Sequence, residues 1–386
     1  MHIILFDTYD RDHLFPFTAT RAVSAIRAGI LTGAERWRKL TGLNVFSITA
    51  SYLQPAYEKP ENGPAILVNA ALIPDKNIFT RIMELGVNEA IVHDGKVIAA
   101  ASAESEHWDI DTVVPGKFKK CIFYKQPLKS IERPWHIFQL NDELIRYDFA
   151  LLTRGRKSKR ISRIDGWTAT ENIFIEDGVA APHCYINASE GPVYLAKNSD
   201  VMEGCMIRGP FALGEGSVLK MGAKIYGATT VGPYCTAGGE IKNTVMMGYS
   251  NKAHEGYLGD SVIGEWCNLG AGTVNSNIRN DASIVYANKG MPDGLPVALK
   301  CGLLMGDYTR TAINTSLNTG TFAGVAGNIF GPGLAPKQLP NFTWGFSERY
   351  IFDKAIEHIA NWKRLKQHHL SPAEIGILEH LYKQNV

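Results

Sequence analysis

Between residues 195 and 236 an aliphatic side chain returns at every sixth position: Leu195, Val201, Ile207, Leu213, Leu219, Ile225 and Val231. The fifth position of each unit is small, Phe211 excepted. A helix repeats about every 3.6 residues and a strand about every 2, so neither alone yields an unbroken six. Short strands joined by tight corners do, with one inward side chain per unit, and the pattern therefore predicts a β-solenoid. The same spacing resumes at Tyr257, Ile263 and Leu269 and again over residues 305–334, while Ile175 opens it. Residues 238–256 and 275–302 break the period and are expected to leave the coil as excursions, where solenoids tend to carry binding sites. Thr311 and Ala323 replace the aliphatic lead in the later units, so the last coils are less regular.

Ahead of the repeat the pattern changes. Residues 2–6, 44–49 and 65–68 read as strands and residues 22–40 as a helix, which makes residues 1–150 an α/β domain. Residues 151–170 form a linker, with six basic residues between 154 and 163; a solvated run is the plain reading, an anionic ligand or partner the sharper one. The solenoid takes residues 171–345. Residues 346–386 are expected to form helices, one over 347–367 and one capped by Ser371-Pro372-Ala373-Glu374, a hydroxyl, a proline and a carboxylate in N-terminal order.

Composition narrows the picture further. The 386 residues, 45% of them hydrophobic, suffice for two or three domains. Forty basic residues against 38 acidic ones leave no charge excess for a nucleic acid or a membrane surface. No apolar run reaches the roughly 18 residues that span a bilayer. The opening MHIILFD reads as a first strand, not a signal peptide. Six scattered cysteines argue against a disulfide framework or a zinc site, and Cys205, Cys235 and Cys267 occupy the small position of the repeat, as reduced thiols would in a cytoplasmic protein.

Residues 239–277 contain Glu240-Ile241-Lys242-Asn243, Lys252-Ala253-His254, Tyr257-Leu258-Gly259-Asp260 and Asn268-Leu269-Gly270-Ala271-Gly272-Thr273. In order and spacing these motifs resemble the acetyltransferase domain of the bifunctional N-acetylglucosamine-1-phosphate uridyltransferase/glucosamine-1-phosphate acetyltransferase family. The resemblance implies a left-handed parallel β-helix, a homotrimer, and acetyl-CoA bound between subunits. It implies His254 as general base, with Glu240 holding the amine or orienting that histidine. Lys242, Tyr257, Asn268 and Asn277 would bind an amino-sugar phosphate, and the backbone N–H of Ala271 would face the thioester oxygen. Histidine suits the first role because its proton exchanges near neutral pH. Ile278 and Ile313 stand where the family has tyrosine and serine, which leaves the acceptor sugar open.

The first domain resembles the family's nucleotidyltransferase domain in outline. Residues 11–18 resemble the tail of its phosphate loop, with Arg11 and Arg21 as candidate nucleotide contacts for UTP or dTTP. No glycine lies between Asp7 and Arg21, and Ala71 stands where the family's Mg²⁺-binding aspartate belongs, so Mg²⁺ is expected only if this domain is active. Sugar-1-phosphate nucleotidyl transfer is therefore the alternative enzymatic reading, and a non-catalytic trimeric binding protein the other. A metal hydrolase on the same coil lacks ligands, since the repeat supplies only His183 and His254.

Overall fold

The computed structural model describes residues 1–105, 107–159, 166–287 and 294–384. The first domain is a mixed six-stranded sheet: β1 (His2–Phe6), β2 (Val45–Ile48), β3 (Ala65–Asn69), β4 (Glu89–His93), β5 (Lys96–Ser102) and β6 (Lys120–Phe123). The strand order is β2-β1-β3-β5-β4-β6, with β1 parallel to both β2 and β3. Helices α1 (Gly33–Thr41), α2 (Lys76–Met83), α3 (His136–Gln139) and α4 (Asn141–Thr153) accompany it.

The helix expected over residues 22–40 begins only at Gly33, after a single 3-10 turn at Val23–Ala25. The chain between them is drawn into α4. Gly29 adopts φ 79° and donates its N–H to Asn141, while the buried Asp148 collects the N–H groups of Ile30 and Leu31 and both arms of Arg36. A Cβ at Gly29 would lie 2.6 Å from Asp148, so only glycine fits. Thr32 then restarts the chain as a helix through a capping box with Glu35.

The solenoid is a stack of three-sided coils. Val193, Phe211 and Thr229 pair in parallel register at intervals of three hexads on the first face, and Asp200, Val218 and Thr236 do so on the second. The third face carries Tyr185–Asn187, Met206–Arg208 and Lys224–Ile225. Every lead residue from Leu195 to Val231 is buried inside the coil, as are Cys205, Cys235 and Cys267. All six cysteines are free thiols. The coil starts at Trp167–Thr168, which pairs with the third face, and it runs through the degenerate units to Thr343–Trp344. Where Thr311 replaces an aliphatic lead, its hydroxyl bonds that of Thr273 inside the coil at 2.7 Å.

One expectation fails. Residues 238–256 do not leave the coil. Glu240–Gly248 and Tyr257–Glu265 are long strands that pair with each other across the whole span, and Asn251–Lys252 continues the second face. The period is lost because corners shorten: Ala237 to Ile241 spans four positions where their partners Leu219 to Ile225 span six, and Ile241 to Met246 spans five where Ile225 to Val231 spans six, so the third and first faces run on in one strand. Residues 275–302 do form an excursion: Val285–Ala287 pairs antiparallel with Leu295–Ala298.

The two parts share one core. Val245, Met247, Val262, Leu304 and Phe322 point outward from the first face and pack with Ile137, Phe138 and Leu144 of α3 and α4. Arg21 reaches across to pair with Glu265 and Asp307. In the expected linker, Arg156 pairs with Glu176 and Lys159 with Asp177, while Arg160 and Arg163 lie outside the described residues.

At the other end α5 (Phe352–Leu365) starts later than expected because Glu348–Arg349 first pairs back onto Thr343–Trp344. The final helix, α6 (Pro372–Lys383), carries the expected capping box of Ser371 and Glu374. These helices pack against a corner where Tyr234, Tyr249 and Trp266, one per coil, stack at 5.3 and 4.3 Å. No helix of the described residues is long and apolar enough to cross a membrane.

Candidate functional site

Asn268 apart, the residues singled out between 240 and 277 fall on the third face and on the corner leading to it. Glu240 lies opposite Tyr257 in register, and Lys242 opposite Gly259. Asn277 donates to the Tyr257 hydroxyl at 2.8 Å and to Asp260 at 2.5 Å, and Asn243 donates to the other Asp260 oxygen at 2.7 Å. Asp260 is thus a buried carboxylate held by two amides, and it fixes the edge on which Tyr257 sits. Burial pushes the Tyr257 phenol up to about 12, so it stays protonated and able to donate to a ligand. Gly259 is required here because a Cβ would lie 2.2 Å from the Tyr257 hydroxyl. Lys242 is exposed, its ammonium 5.9 Å from the Tyr226 ring.

His254 occupies the corner between the second and third faces. It is exposed and has no side-chain partner among the described residues, so Glu240 does not hold it. Ala271 lies one coil further along the same corner: its carbonyl accepts from the Asn314 N–H, and the neighbouring Gly272 N–H bonds the Glu255 carbonyl. Asn268 is set apart on the second face, where Asn251 donates to it at 3.4 Å. Glu240, Lys242, Tyr257 and Asn277 therefore share one face, and His254 and Ala271 share its border.

Two residues at this site were not singled out as ligands or catalysts. Asp260 was legible only as a motif letter, and its role needs the amides of Asn243 and Asn277 from adjacent coils. Lys252 sits in register with the buried Ala237, in a slot the repeat reserves for small or aliphatic side chains. Its ammonium bonds the carbonyls of Gly238 and His254, clamping the corner that carries the histidine. A lysine at the inward position of a repeat was the available signal. Burial lowers its pKa from 10.5 to about 8. Between those values the unfolded chain binds a proton that the folded chain does not, so this group makes stability rise with pH across that window, by about 3 kcal/mol in all. Urea unfolding from pH 8 to 10.5 is expected to show that rise in the wild type relative to Lys252→Met. Parallel curves would rule out the assignment.

The first domain holds a cavity of about 430 Å³ at the ends of β1 and β3, lined by Asp7, Asn69, Ala71, His93, Lys96 and Arg133 among others. Arg11 borders it but bonds Asp7 at 3.2 Å and lies over the Tyr52 ring, and Arg21 is engaged by the solenoid carboxylates. Burial raises Asp7 to about 6, against the pull of Thr49 and Arg11. That carboxylate already takes Thr49, Arg11 and the Val23 N–H, and Ala71 offers no oxygen. Among the described residues no three His, Cys, Asp or Glu side chains converge to hold a metal. Neither Asp7 nor Ala71 therefore presents a free oxygen to Mg²⁺.

Comparison with known proteins agrees with this division. Residues 3–157 match the family described as sugar nucleotidyl transferase. A bifunctional sugar-1-phosphate nucleotidylyltransferase/acetyltransferase of Sulfurisphaera tokodaii is 29% identical over 308 residues, 77% of this chain and 64% of the relative. The bifunctional protein GlmU of Methanocaldococcus jannaschii is 27% identical over 269 residues, 69% of this chain and 57% of the relative. That of Methanococcus aeolicus is 34% identical over 85 residues, 22% of this chain and 20% of the relative. The chain spans about three fifths of the length of the first two relatives. With a first domain that matches the sugar nucleotidyl transferase family over residues 3–157 and a hexapeptide solenoid after it, the chain is similar in its order of parts to the bifunctional sugar-1-phosphate nucleotidylyltransferase/acetyltransferase proteins.

Proposed function

We propose that the solenoid is an acetyl-CoA-dependent N-acetyltransferase acting on an amino-sugar phosphate in nucleotide-sugar synthesis. The observation that carries this reading is an exposed His254, without a side-chain partner among the described residues, on the border of a face built from Glu240, Lys242, Tyr257 and Asn277. His254 takes the proton from the attacking amine as the new N–C bond forms, and passes it to the sulfur as the C–S bond breaks. Glu240 orients the amine from across the face, since it does not contact the histidine. Lys242 neutralises phosphate charge, and Tyr257 and Asn277 bond sugar hydroxyls through a network pinned by Asp260. The Ala271 N–H faces the thioester oxygen, where negative charge grows during attack. Asn268 contacts the ligand from the second face only if that ligand reaches around the corner.

The exposed Tyr185, Met206 and Tyr226 on the third face, at 61%, 48% and 42% exposure, support a homotrimer in which that face meets a neighbouring copy. The free thiols fit a reducing, cytoplasmic setting.

A second reading, uridylyl or thymidylyl transfer, is favoured by the family match over residues 3–157. The occupied Asp7 and the alanine at position 71 oppose it, because neither offers Mg²⁺ a free carboxylate. One experiment addresses both readings: mass spectrometry of amino-sugar 1-phosphates incubated with acetyl-CoA, and in parallel with UTP or dTTP and Mg²⁺. One added acetyl group on a single panel member is the expected result, with no pyrophosphate released in the second arm. Pyrophosphate without acetylation would reverse the assignment, and neither product would favour a binding protein.

A further inference from the structure

Five arginines of the described residues are buried, and four of them face a carboxylate: Arg11 with Asp7, Arg21 with Asp307 and Glu265, Arg27 with Glu35, and Arg36 with Asp148. Arg310 is the exception. It is 8% exposed, makes no ion pair among the described residues, and its Nε and Nη2 have no hydrogen-bond partner there. The groups around its guanidinium are neutral: the Trp362 ring of α5 at 5.2 Å, the Tyr350 phenol and the Cys267 thiol. A buried charge without a counter-charge is costly, so a fold retains one where something else supplies the partner.

The position of Arg310 indicates what that partner is. Arg310 stands on the second face between Asn268 of the preceding coil and Asn328 of the next, each about 4.8 Å away along the ladder. The Asn268 oxygen already accepts from Asn251. Lys366, just beyond α5, donates to Asn251 at 3.2 Å and adds a second positive charge to the strip. Glu374 of α6 is engaged by Lys363 and Tyr308. Amide and cationic donors therefore line the strip between the second face and α5, and neither Arg310 nor Lys366 pairs with a carboxylate among the described residues.

We propose that this strip binds a small oxyanion, a phosphate or carboxylate, in the fork of Arg310. The planar guanidinium presents two parallel N–H donors to two oxygens of such an ion. The proposal does not depend on His254 or on acyl transfer. A phosphate carried by a larger ligand such as acetyl-CoA is one source of the oxyanion and the free ion the other.

The test is calorimetric titration and thermal unfolding of the full chain with inorganic phosphate, acetate and acetyl-CoA, in wild type and Arg310→Met. Phosphate or acetate is expected to bind the wild type and raise its Tm with concentration, and to bind Arg310→Met about 10- to 100-fold more weakly. In anion-free buffer Arg310→Met is expected to be at least as stable as the wild type, because it removes an unbalanced charge. Phosphate binding that acetyl-CoA competes away assigns the site to the larger ligand; binding that it leaves untouched assigns it to the free ion. Should Arg310→Met fail to fold, Arg310→Lys, which keeps the charge and loses the fork, must still weaken phosphate. No anion response in the wild type, or an equal response in the variants, overturns the proposal.

Discussion

His254→Ala is expected to lower kcat for acetyl transfer by about 10²–10⁴ while leaving KM and thermal stability close to wild type. The side chain is exposed and unbonded, so its removal opens no cavity and orphans no partner. The corner itself is held by main-chain bonds and by Lys252, neither of which needs the imidazole. Rates should be compared by single-turnover acetylation across pH 6–9, with the unfolding midpoint measured on the same preparations. A variant that retains the wild-type rate and pH profile removes His254 from the chemistry, and one that loses stability as well assigns it a structural part.

The second large effect concerns the joint between the two domains. Arg21→Met is expected to cost about 3–5 kcal/mol of stability, the range for removing one partner of a buried ion pair. Burial works against the charge on Arg21, yet Asp307 and Glu265 outweigh it and hold its pKa above the usual arginine value. Asp307 also accepts from the Thr20 hydroxyl at 2.6 Å and the Glu265 N–H at 2.8 Å, so losing the cation leaves a carboxylate in a buried polar knot. The double variant Arg21→Met with Asp307→Asn should recover part of the loss, since the stranded charge is gone. Urea unfolding of wild type, single and double variants measures this. A loss under about 1 kcal/mol for the single variant would mean that water already screens the joint.

How far the candidate site could be read in advance differs from residue to residue. Tyr257 and Asn277 lie twenty positions apart, and their motif spacing anticipated a shared surface because the coil returns the chain to the same edge. Asn268 shows where that reasoning stops. Its motif is equally specific, but it sits on the second face, and only the direction of each corner decides which face a residue joins. The mistaken excursion at residues 238–256 has the same origin. A hexad count registers the loss of period but not its cause, and here the cause is shortened corners, chiefly between Ala237 and Ile241, while the strands stay paired.

The local rules carried the parts that local physics controls. The hexad leads were legible as an interior because each coil buries its own side chains against the next coil, an interaction short in sequence. The α6 cap was legible because Ser371 and Glu374 satisfy N–H groups within a single turn. The N-terminal strands followed from apolar runs that any sheet would bury. What tertiary structure alone decided is how the parts are joined and charged. The outward Val245, Met247 and Val262 read as surplus apolar residues until α3 and α4 cover them. Arg21 and Arg310 look alike in the sequence. One meets two carboxylates brought from 244 and 286 positions away, and the other meets none among the described residues, because charge pairing at such separations depends on the folded path of the chain and not on its neighbours in sequence.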